Sequence, residues 1–265
     1  MHYIWKEWKE TVRGKGLWLS LAVMIAVSAG ILFNSSSLSF DQGFYVLLIN
    51  LFETLMYLIP ILCLFIGAFS VYQEKEQKTL VMLLTKTDTF PVFLLKKSLA
   101  LQAVFLVPLA VWFIIYLVLL KFNFLINFTG YAIFLLSIFT IAIVFMQLGV
   151  FVGSISRNRM QIIGFAIFIW FYFFFLHDFL LLAYLPKVTY ENVKLFSLAY
   201  FLSPLQSVRI FLETAMNVTS YSHMSRLLQS FMWAKPVYFY LGSTVFWIAA
   251  SFIGAAVFHK KEGIE

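Results

Sequence analysis

The chain has 265 residues, of which 62% are hydrophobic and 20% aromatic, while only 12% are charged. Its mean hydropathy of +0.92 and its repeated apolar runs of about 18 residues or more exclude a soluble globular domain. Membrane topology and anionic lipid headgroups account for the formal net charge of +7, so no nucleic-acid partner is predicted.

Six apolar runs predict six membrane-spanning helices, and hence an all-α polytopic membrane protein. Such runs fit helices across a hydrocarbon core of about 30 Å, whereas the strands of a barrel would alternate over about 10 residues. The first span is expected to be an uncleaved signal anchor, because its apolar run exceeds a usual signal core and no A-x-A site follows it. The predicted spans cover residues 17–33, 44–72, 98–120, 130–153, 162–185 and 237–258.

The distribution of basic residues predicts the orientation of these spans. Thirteen of the 19 Lys and Arg residues fall on one side of the membrane, before the first span, in the second and fourth connections, and after the last span. Cytoplasmic loops carry an excess of positive charge. This side and both termini are therefore predicted to be cytoplasmic.

The N-terminal residues 1–15 contain a candidate interfacial helix. Within the stretch "HYIWKEWKETVR", the side chains of Tyr3, Ile4, Trp8 and Val12 fall near one helical face and the charges on the others. This pattern is typical of an amphipathic helix at the lipid surface. A basic flank that only orients the first span fits the residues equally well.

A dense charged segment lies between the second and third spans. Eight charges fall between Glu74 and Lys97 in the stretch "YQEKEQKTLVMLLTKTDTFPVFLLKKSLA". Leucines at helical spacing after Glu76 predict a charged cytoplasmic helix with an apolar edge. The following "TKTDTFP" predicts an elbow, where one residue of 87–89 caps a new helix that has Pro91 in its first turn.

This segment resembles the signature of ABC-2 transporter permeases, which is acidic-x-acidic-x-x-Thr-Leu, then Leu-Leu, a turn and a basic pair. The family usually has Gly before the Thr and Pro in the turn, where this chain has Lys78 and Thr87. The matching positions are Glu74, Glu76, Thr79, Leu80, Leu83, Leu84, Lys96 and Lys97.

The resemblance implies a coupling helix within residues 74–97 that docks into a groove of a separate ABC ATPase. It also implies one transmembrane domain over residues 1–265, two ATPase copies and a second permease copy, in a bacterial or archaeal plasma membrane. No G-x-x-x-x-G-K-[ST] motif occurs, so ATP and Mg²⁺ are expected on the ATPase. The chain itself is expected to be a permease subunit with no catalytic residue and no cofactor.

The external segment 186–236 is predicted to carry an amphipathic helix at the outer interface. Ser203 is a plausible N-cap, and Pro204 stands at the first helical position. Arg209 and Glu213 flank the apolar stripe four residues apart, where an exposed ion pair would contribute less than about 1 kcal/mol. The stripe itself comprises Leu205, Val208, Leu212, Ala215 and Met216.

Three ionisable residues fall inside predicted spans, namely Glu53, His177 and Asp178. Charges at such depth cost several kcal/mol, so each is a candidate functional residue. All three are placed in the outer half of the membrane, where they, with Arg209, would line a pathway or contact an external partner. A purely structural role fits equally well. His177 and Asp178 are adjacent and so diverge by about 100° on a helix, which argues against a catalytic pair.

Two glycines in the fourth span, Gly149 and Gly153, predict a close approach of another helix. The approaching helix belongs either to the same chain or to a second permease copy.

Within the family, the last two spans resemble the permeases of nitrous-oxide-reductase maturation transporters. The points of resemblance are "HDFLLLAYL", "FLSPLQSVRIF" and the terminal "AVFHKK". This resemblance implies an external accessory protein for copper-site assembly. The chain itself has no MxxM or CxxC motif, so it is not predicted to bind or carry copper.

Two other functions remain open from the sequence. One is an ABC-2 exporter of a hydrophobic drug, peptide or lipid, which the aromatic spans with few charges would suit. The other is a membrane scaffold that passes ATPase strokes to an external protein and moves no solute. The permease pair is either a homodimer or two related chains.

Overall fold

A computed structural model describes residues 8, 9, 12, 14–35, 43–77, 89–216 and 231–262, and every regular element in these ranges is helical. Six helices are long and apolar enough to cross a membrane, which agrees with the predicted number of spans. Of the predicted interfacial helix, only residues 8, 9, 12, 14 and 15 fall within the described ranges. The candidate docking residues 78–88 lie outside them.

The spanning helices are somewhat longer than the predicted runs. The third begins at Phe90, whereas the predicted span begins at residue 98, and Lys96 and Lys97 belong to its second turn. Its N-cap is Thr89 and Pro91 lies in its first turn, as predicted, although the Thr89 side chain makes no capping hydrogen bond. The six are α1 Lys15–Asn34, α2 Gly43–Glu76, α3 Phe90–Lys121, α4 Phe128–Ile155, α5 Arg159–Lys187 and α8 Pro236–Glu262.

Helices α2 and α4 form the centre of the bundle and pack more extensively than any other described pair. Glycines make this approach possible. A Cβ atom added to Gly149 would lie 2.6 Å from the Leu64 carbonyl oxygen, and one added to Gly67 would lie 2.6 Å from the Met146 carbonyl oxygen. Gly153 is equally close to the backbone of α2. Both glycines of α4 therefore serve packing within the chain, which was one of the two alternatives.

Contacts between helix termini define the two ends of the bundle. At one end, which we call the basic end, the last residues of α2 contact the first residues of α3 and α5 and the last residues of α4. At the opposite end, Tyr45 near the start of α2 accepts a hydrogen bond of 2.8 Å from Asn127, which caps α4. The basic end is the one predicted to be cytoplasmic.

Helix α5 is interrupted by one π-helical turn, Tyr172–Leu176, directly before His177. On the preceding turn, the Trp170 indole donates a hydrogen bond of 3.1 Å to the Tyr57 carbonyl oxygen of α2. Within the π-helical turn, Phe174 stacks on the Tyr57 ring. Wide turns of this kind are frequent at functional sites, because they shift the following side chains around the helix.

The segment predicted to lie on the outer surface forms a bent pair of helices, α6 Val193–Leu202 and α7 Pro204–Ala215, with an angle of 98° between them. Ser203 and Pro204 stand at the predicted capping positions. The structure differs from the expectation in where the stripe of α7 packs, because its side chains face α4 and α8 inside the bundle. Buried members of the stripe are Leu205, Val208, Leu212 and Met216.

Candidate functional sites at the two ends of the bundle

Two of the predicted docking residues, Glu74 and Glu76, lie on the last turn of α2. The other four, Thr79, Leu80, Leu83 and Leu84, lie outside the described residues. The structure therefore describes the two helices, α2 and α3, that flank residues 78–88, the part of the candidate coupling segment that we call the docking segment.

A buried ion pair joins α2 and α3 beside this segment. The Lys97 ammonium of α3 lies 3.0 Å from a carboxylate oxygen of Glu74 on α2, and the two residues are only 1% and 5% exposed. Of the basic pair that enters α3, Lys96 is exposed and Lys97 points towards α2. The Glu74 carboxylate accordingly faces the interior of the bundle.

The neighbouring residues of α2 extend this set of contacts to α4 and α5. The Lys75 ammonium donates a hydrogen bond to the Ser154 carbonyl oxygen at the end of α4. The Arg159 guanidinium donates to both carboxylate oxygens of Glu76, at 3.0 and 2.9 Å. Asn158 caps α5 by accepting a hydrogen bond of 2.8 Å from the Gln161 amide. Three consecutive residues of α2 thus hold three other helices.

Neutral polar side chains lie next to Lys97, further along α3 and on the facing part of α4. The Ser98 hydroxyl donates to the Gln147 side chain of α4, and Gln102 donates to the Ser98 oxygen at 3.3 Å. Ser98 and Gln147 are both buried. The sequence could have indicated these contacts, because the amides lie inside apolar runs, where every polar group needs a partner.

At the opposite end, the structure brings all four predicted residues together around α7. Glu53 comes from α2 and His177 and Asp178 from α5, while Arg209 lies on α7. Gln206, one turn before Arg209, completes the arrangement and was not predicted. It was overlooked because an amide carries no charge.

Arg209 is held by two carboxylates. Its Nη2 atom lies 2.8 Å from Glu53 Oε1, and its Nε atom lies 3.0 Å from Glu213 Oε1. The predicted pair with Glu213 is present, but the contact with Glu53 links α7 to α2 across 156 positions of sequence. The side chains of Arg209 and Glu53 are 40% and 41% exposed, so the pair lies on the surface of the described chain.

Asp178 accepts hydrogen bonds from the Gln206 amide on both carboxylate oxygens, at 3.0 and 2.8 Å. The Tyr200 hydroxyl donates to the Gln206 oxygen at 3.0 Å and fixes the orientation of the amide. His177 Nδ1 lies 3.2 Å from Asp178 Oδ1 despite the expected divergence of adjacent residues, and His177 Nε2 contacts the Ala199 carbonyl oxygen at 3.1 Å. These contacts join α5 to both helices of the bent pair.

An open groove of about 560 Å³ runs along α5 beside this cluster. Among the described residues that line it, Asp178 is charged and the others are apolar. They are Phe171, Phe174, Phe175, Leu176, Phe179 and Leu182. Among the described residues, no group of three or more His, Cys, Asp or Glu side chains could hold a metal ion.

The comparison with protein families gives one match over nearly the whole chain. Residues 1–263 match the family described as ABC-2 family transporter protein. A search of curated proteins found no match. The chain therefore belongs to the ABC-2 family of transporter membrane proteins.

Proposed function

We propose that the chain is the permease subunit of an ABC transporter whose separate ATPase docks on the segment of residues 78–88 at the basic end. ABC-2 permeases generally work with such an ATPase subunit. The basic end, with both termini, faces the cytoplasm in this proposal. ATP and Mg²⁺ are held by two ATPase copies, and a second permease copy completes the complex.

The continuity of α2 is the observation that supports this function best. The helix runs without interruption through 34 residues, from Gly43 to Glu76. The 21 positions that separate Glu53 from Glu74 span about 30 Å, roughly the thickness of the hydrocarbon core. One end of α2 carries the contacts beside the docking segment, and the other carries the contact with Arg209. A movement of α2 therefore reaches both sides of the membrane.

At the opposite end, we propose that the cluster around α7 acts on an external accessory protein in the maturation of a copper enzyme of the nitrous-oxide-reductase type. The support is that two segments carrying this resemblance contact each other directly, through Asp178 of "HDFLLLAYL" and Gln206 of "FLSPLQSVRIF". Glu53 and Arg209 join the same cluster and lie partly exposed. In this arrangement the moving part is the bent pair α6 and α7.

A second candidate is the export of a hydrophobic compound. The aromatic groove along α5, with Asp178 as a charged lining residue, is the observation that favours it. In this case the accessory protein would be absent, and the groove would contribute to the pathway.

A pull-down from mild detergent distinguishes these functions. The full chain is co-expressed with each ATPase encoded beside its gene, and co-eluting proteins are identified by mass spectrometry, with an unrelated ABC ATPase as the control. We expect the matching ATPase together with an external copper-handling protein. The ATPase alone would favour the exporter, and failure of every neighbouring ATPase to bind would contradict the permease function.

A further inference from the structure

The ion pair between Glu74 and Lys97 lies at the base of the docking segment, with one residue on either side of it. Glu74 belongs to the last turn of α2 and Lys97 to the second turn of α3. The pair therefore joins the two described helices between which residues 78–88 lie in the sequence.

Among the described residues, helices α2 and α3 make little direct contact besides this pair. In the described residues, α2 packs chiefly on α4, α5 and α1, while its direct packing on α3 is slight. A force on a segment that joins two loosely associated helices would spread them apart. The 3.0 Å contact between Lys97 Nζ and Glu74 Oε1 opposes this separation directly.

A buried ion pair is a costly way to join two helices. Desolvation of both charges offsets most of their attraction, and apolar residues of similar volume often stabilise a protein as well or better. Such a pair does fix one relative position of its two helices, because each charge loses several kcal/mol if it is left alone in an apolar site. The geometry thus favours a role in fixing the relative position of α2 and α3 over a role in stabilising the fold.

We infer that Glu74 and Lys97 are positioning residues that make α2 and α3 move as one unit when the ATPase acts on the docking segment. This inference rests on the proposed ATPase coupling and adds to it the residues that direct the movement. The adjacent contact of Lys75 with the Ser154 carbonyl oxygen extends the unit to α4. Without the ion pair, α3 could move without the long helix α2.

The test uses the full chain with its ATPase in lipid nanodiscs. Single neutralisation of Glu74 or Lys97 removes the buried ion-pair partner of the other residue and endangers folding, so the informative variant is Glu74→Leu with Lys97→Met. The charge-reversed variant, Glu74→Lys with Lys97→Glu, should restore the pair. Glu191→Gln, which changes an exposed carboxylate in the turn before α6, is the control for loss of a charge away from this end.

Two measurements are made on each variant, namely ATPase co-purification and stimulation of ATP hydrolysis by the permease. We expect the apolar variant to retain the ATPase but to lose stimulation by about tenfold, within the roughly 5- to 150-fold range of typical coupling between sites. The reversed variant should recover most of this stimulation, and the Glu191→Gln control should match the original chain. Undiminished stimulation in the apolar variant would overturn the inference.

A third measurement separates this inference from the proposed function. Spin labels are placed at Gln77→Cys and Val92→Cys after replacement of Cys63, the single cysteine of the chain, by Ala. We expect one narrow distance distribution in the original background and a broad one in the apolar variant, with or without ATPase. An unchanged narrow distribution in the apolar variant would refute the tie between α2 and α3, even if no ATPase were found to bind.

Discussion

Arg209 of α7 and Glu53 of α2 lie 2.8 Å apart, although 156 positions of sequence separate them. Arg209 also holds Glu213, so one guanidinium fixes α7 internally and ties it to the long helix α2. The contact joins the bent pair of helices to the same element that leads to the docking segment. This relationship makes Arg209 the most direct place to separate movement at the two ends of the bundle.

Replacement of Arg209 should loosen α7 without unfolding the bundle. In Arg209→Gln, both Glu53 and Glu213 lose their cationic partner, and the apolar stripe of α7 remains packed. Because the pair is about 40% exposed, the loss of stability should stay near 1 kcal/mol or below. Hydrogen exchange should increase in α6 and α7 only, and function of the complex should fall.

Glu213→Gln serves as the matched variant, because it removes the contact within α7 and leaves Arg209 with Glu53. It should behave almost like the original chain. Equal hydrogen exchange in Arg209→Gln and the original chain would show that the contact with Glu53 does not hold α7.

The carboxylates of the cluster test whether it has any function beyond structure. Glu53→Gln and Asp178→Asn remove one negative charge each but preserve size and much of the hydrogen bonding. The asparagine side chain introduced by Asp178→Asn can still accept one hydrogen bond from Gln206, so assembly with the ATPase should be normal. We expect cellular function of the transporter to decline in both variants, by a factor of about ten or more, because a lost charged contact costs about 1.5–3 kcal/mol and each 1.4 kcal/mol is about tenfold.

The control for these two variants is Glu191→Gln, which changes an exposed carboxylate in the turn before α6. Variants of Glu53 and Asp178 that assemble and support full function would leave the cluster with a structural role only. The pathway or partner role would then be withdrawn.

The central glycines make a prediction about stability. In Gly149→Ala the new methyl carbon would lie 2.6 Å from the Leu64 carbonyl oxygen, and a backbone atom in a packed helix cannot move aside as a side chain can. We expect α2 and α4 to separate at a cost of about 1–3 kcal/mol or more. Thermal unfolding in detergent should therefore occur at a lower temperature.

Gly164→Ala and Gly242→Ala are suitable comparisons, since a Cβ atom at either position would meet nothing within 4 Å. Both should unfold at the original temperature or slightly above it, because alanine favours a helix over glycine by about 1 kcal/mol. If Gly149→Ala unfolded at the same temperature as these two variants, the close packing of α2 against α4 at Gly149 would be contradicted.

The sequence predicted the number and approximate bounds of the spans well, because about 20 apolar residues are a strong and local signal. It also identified Glu53, His177, Asp178 and Arg209 as candidates, since each charge in or beside a span stands out. It could not show that they meet, because the contact depends on a 98° bend at Ser203 that returns α7 to the bundle.

Two further features could not be predicted from the sequence, for physical reasons. The sequence placed Lys97 in a basic pair with Lys96 but could not show that Lys97 points towards α2, because the helical face that points inward depends on where α2 ends. Gln147 and Gln206 carry no charge, and so their partners Ser98 and Asp178 could not be inferred from charge patterns. Neutral amides inside membrane helices are thus worth the same attention as carboxylates.

The docking segment itself gives the last prediction. Leu83 belongs to the apolar edge that the sequence pattern assigns to the ATPase groove, and a carboxylate there would have to be buried unpaired on docking. Leu83→Glu should therefore insert and fold normally but recruit the ATPase at least about tenfold less well, since one lost anchor of about 1.4 kcal/mol or more has this effect. The measurement is the affinity of the purified ATPase for the permease in nanodiscs, by surface-immobilised binding.

Lys86→Gln, a change of a charged residue three positions further on, should alter the salt dependence of binding and little else. Normal recruitment by Leu83→Glu would refute the placement of the docking face on Leu80, Leu83 and Leu84.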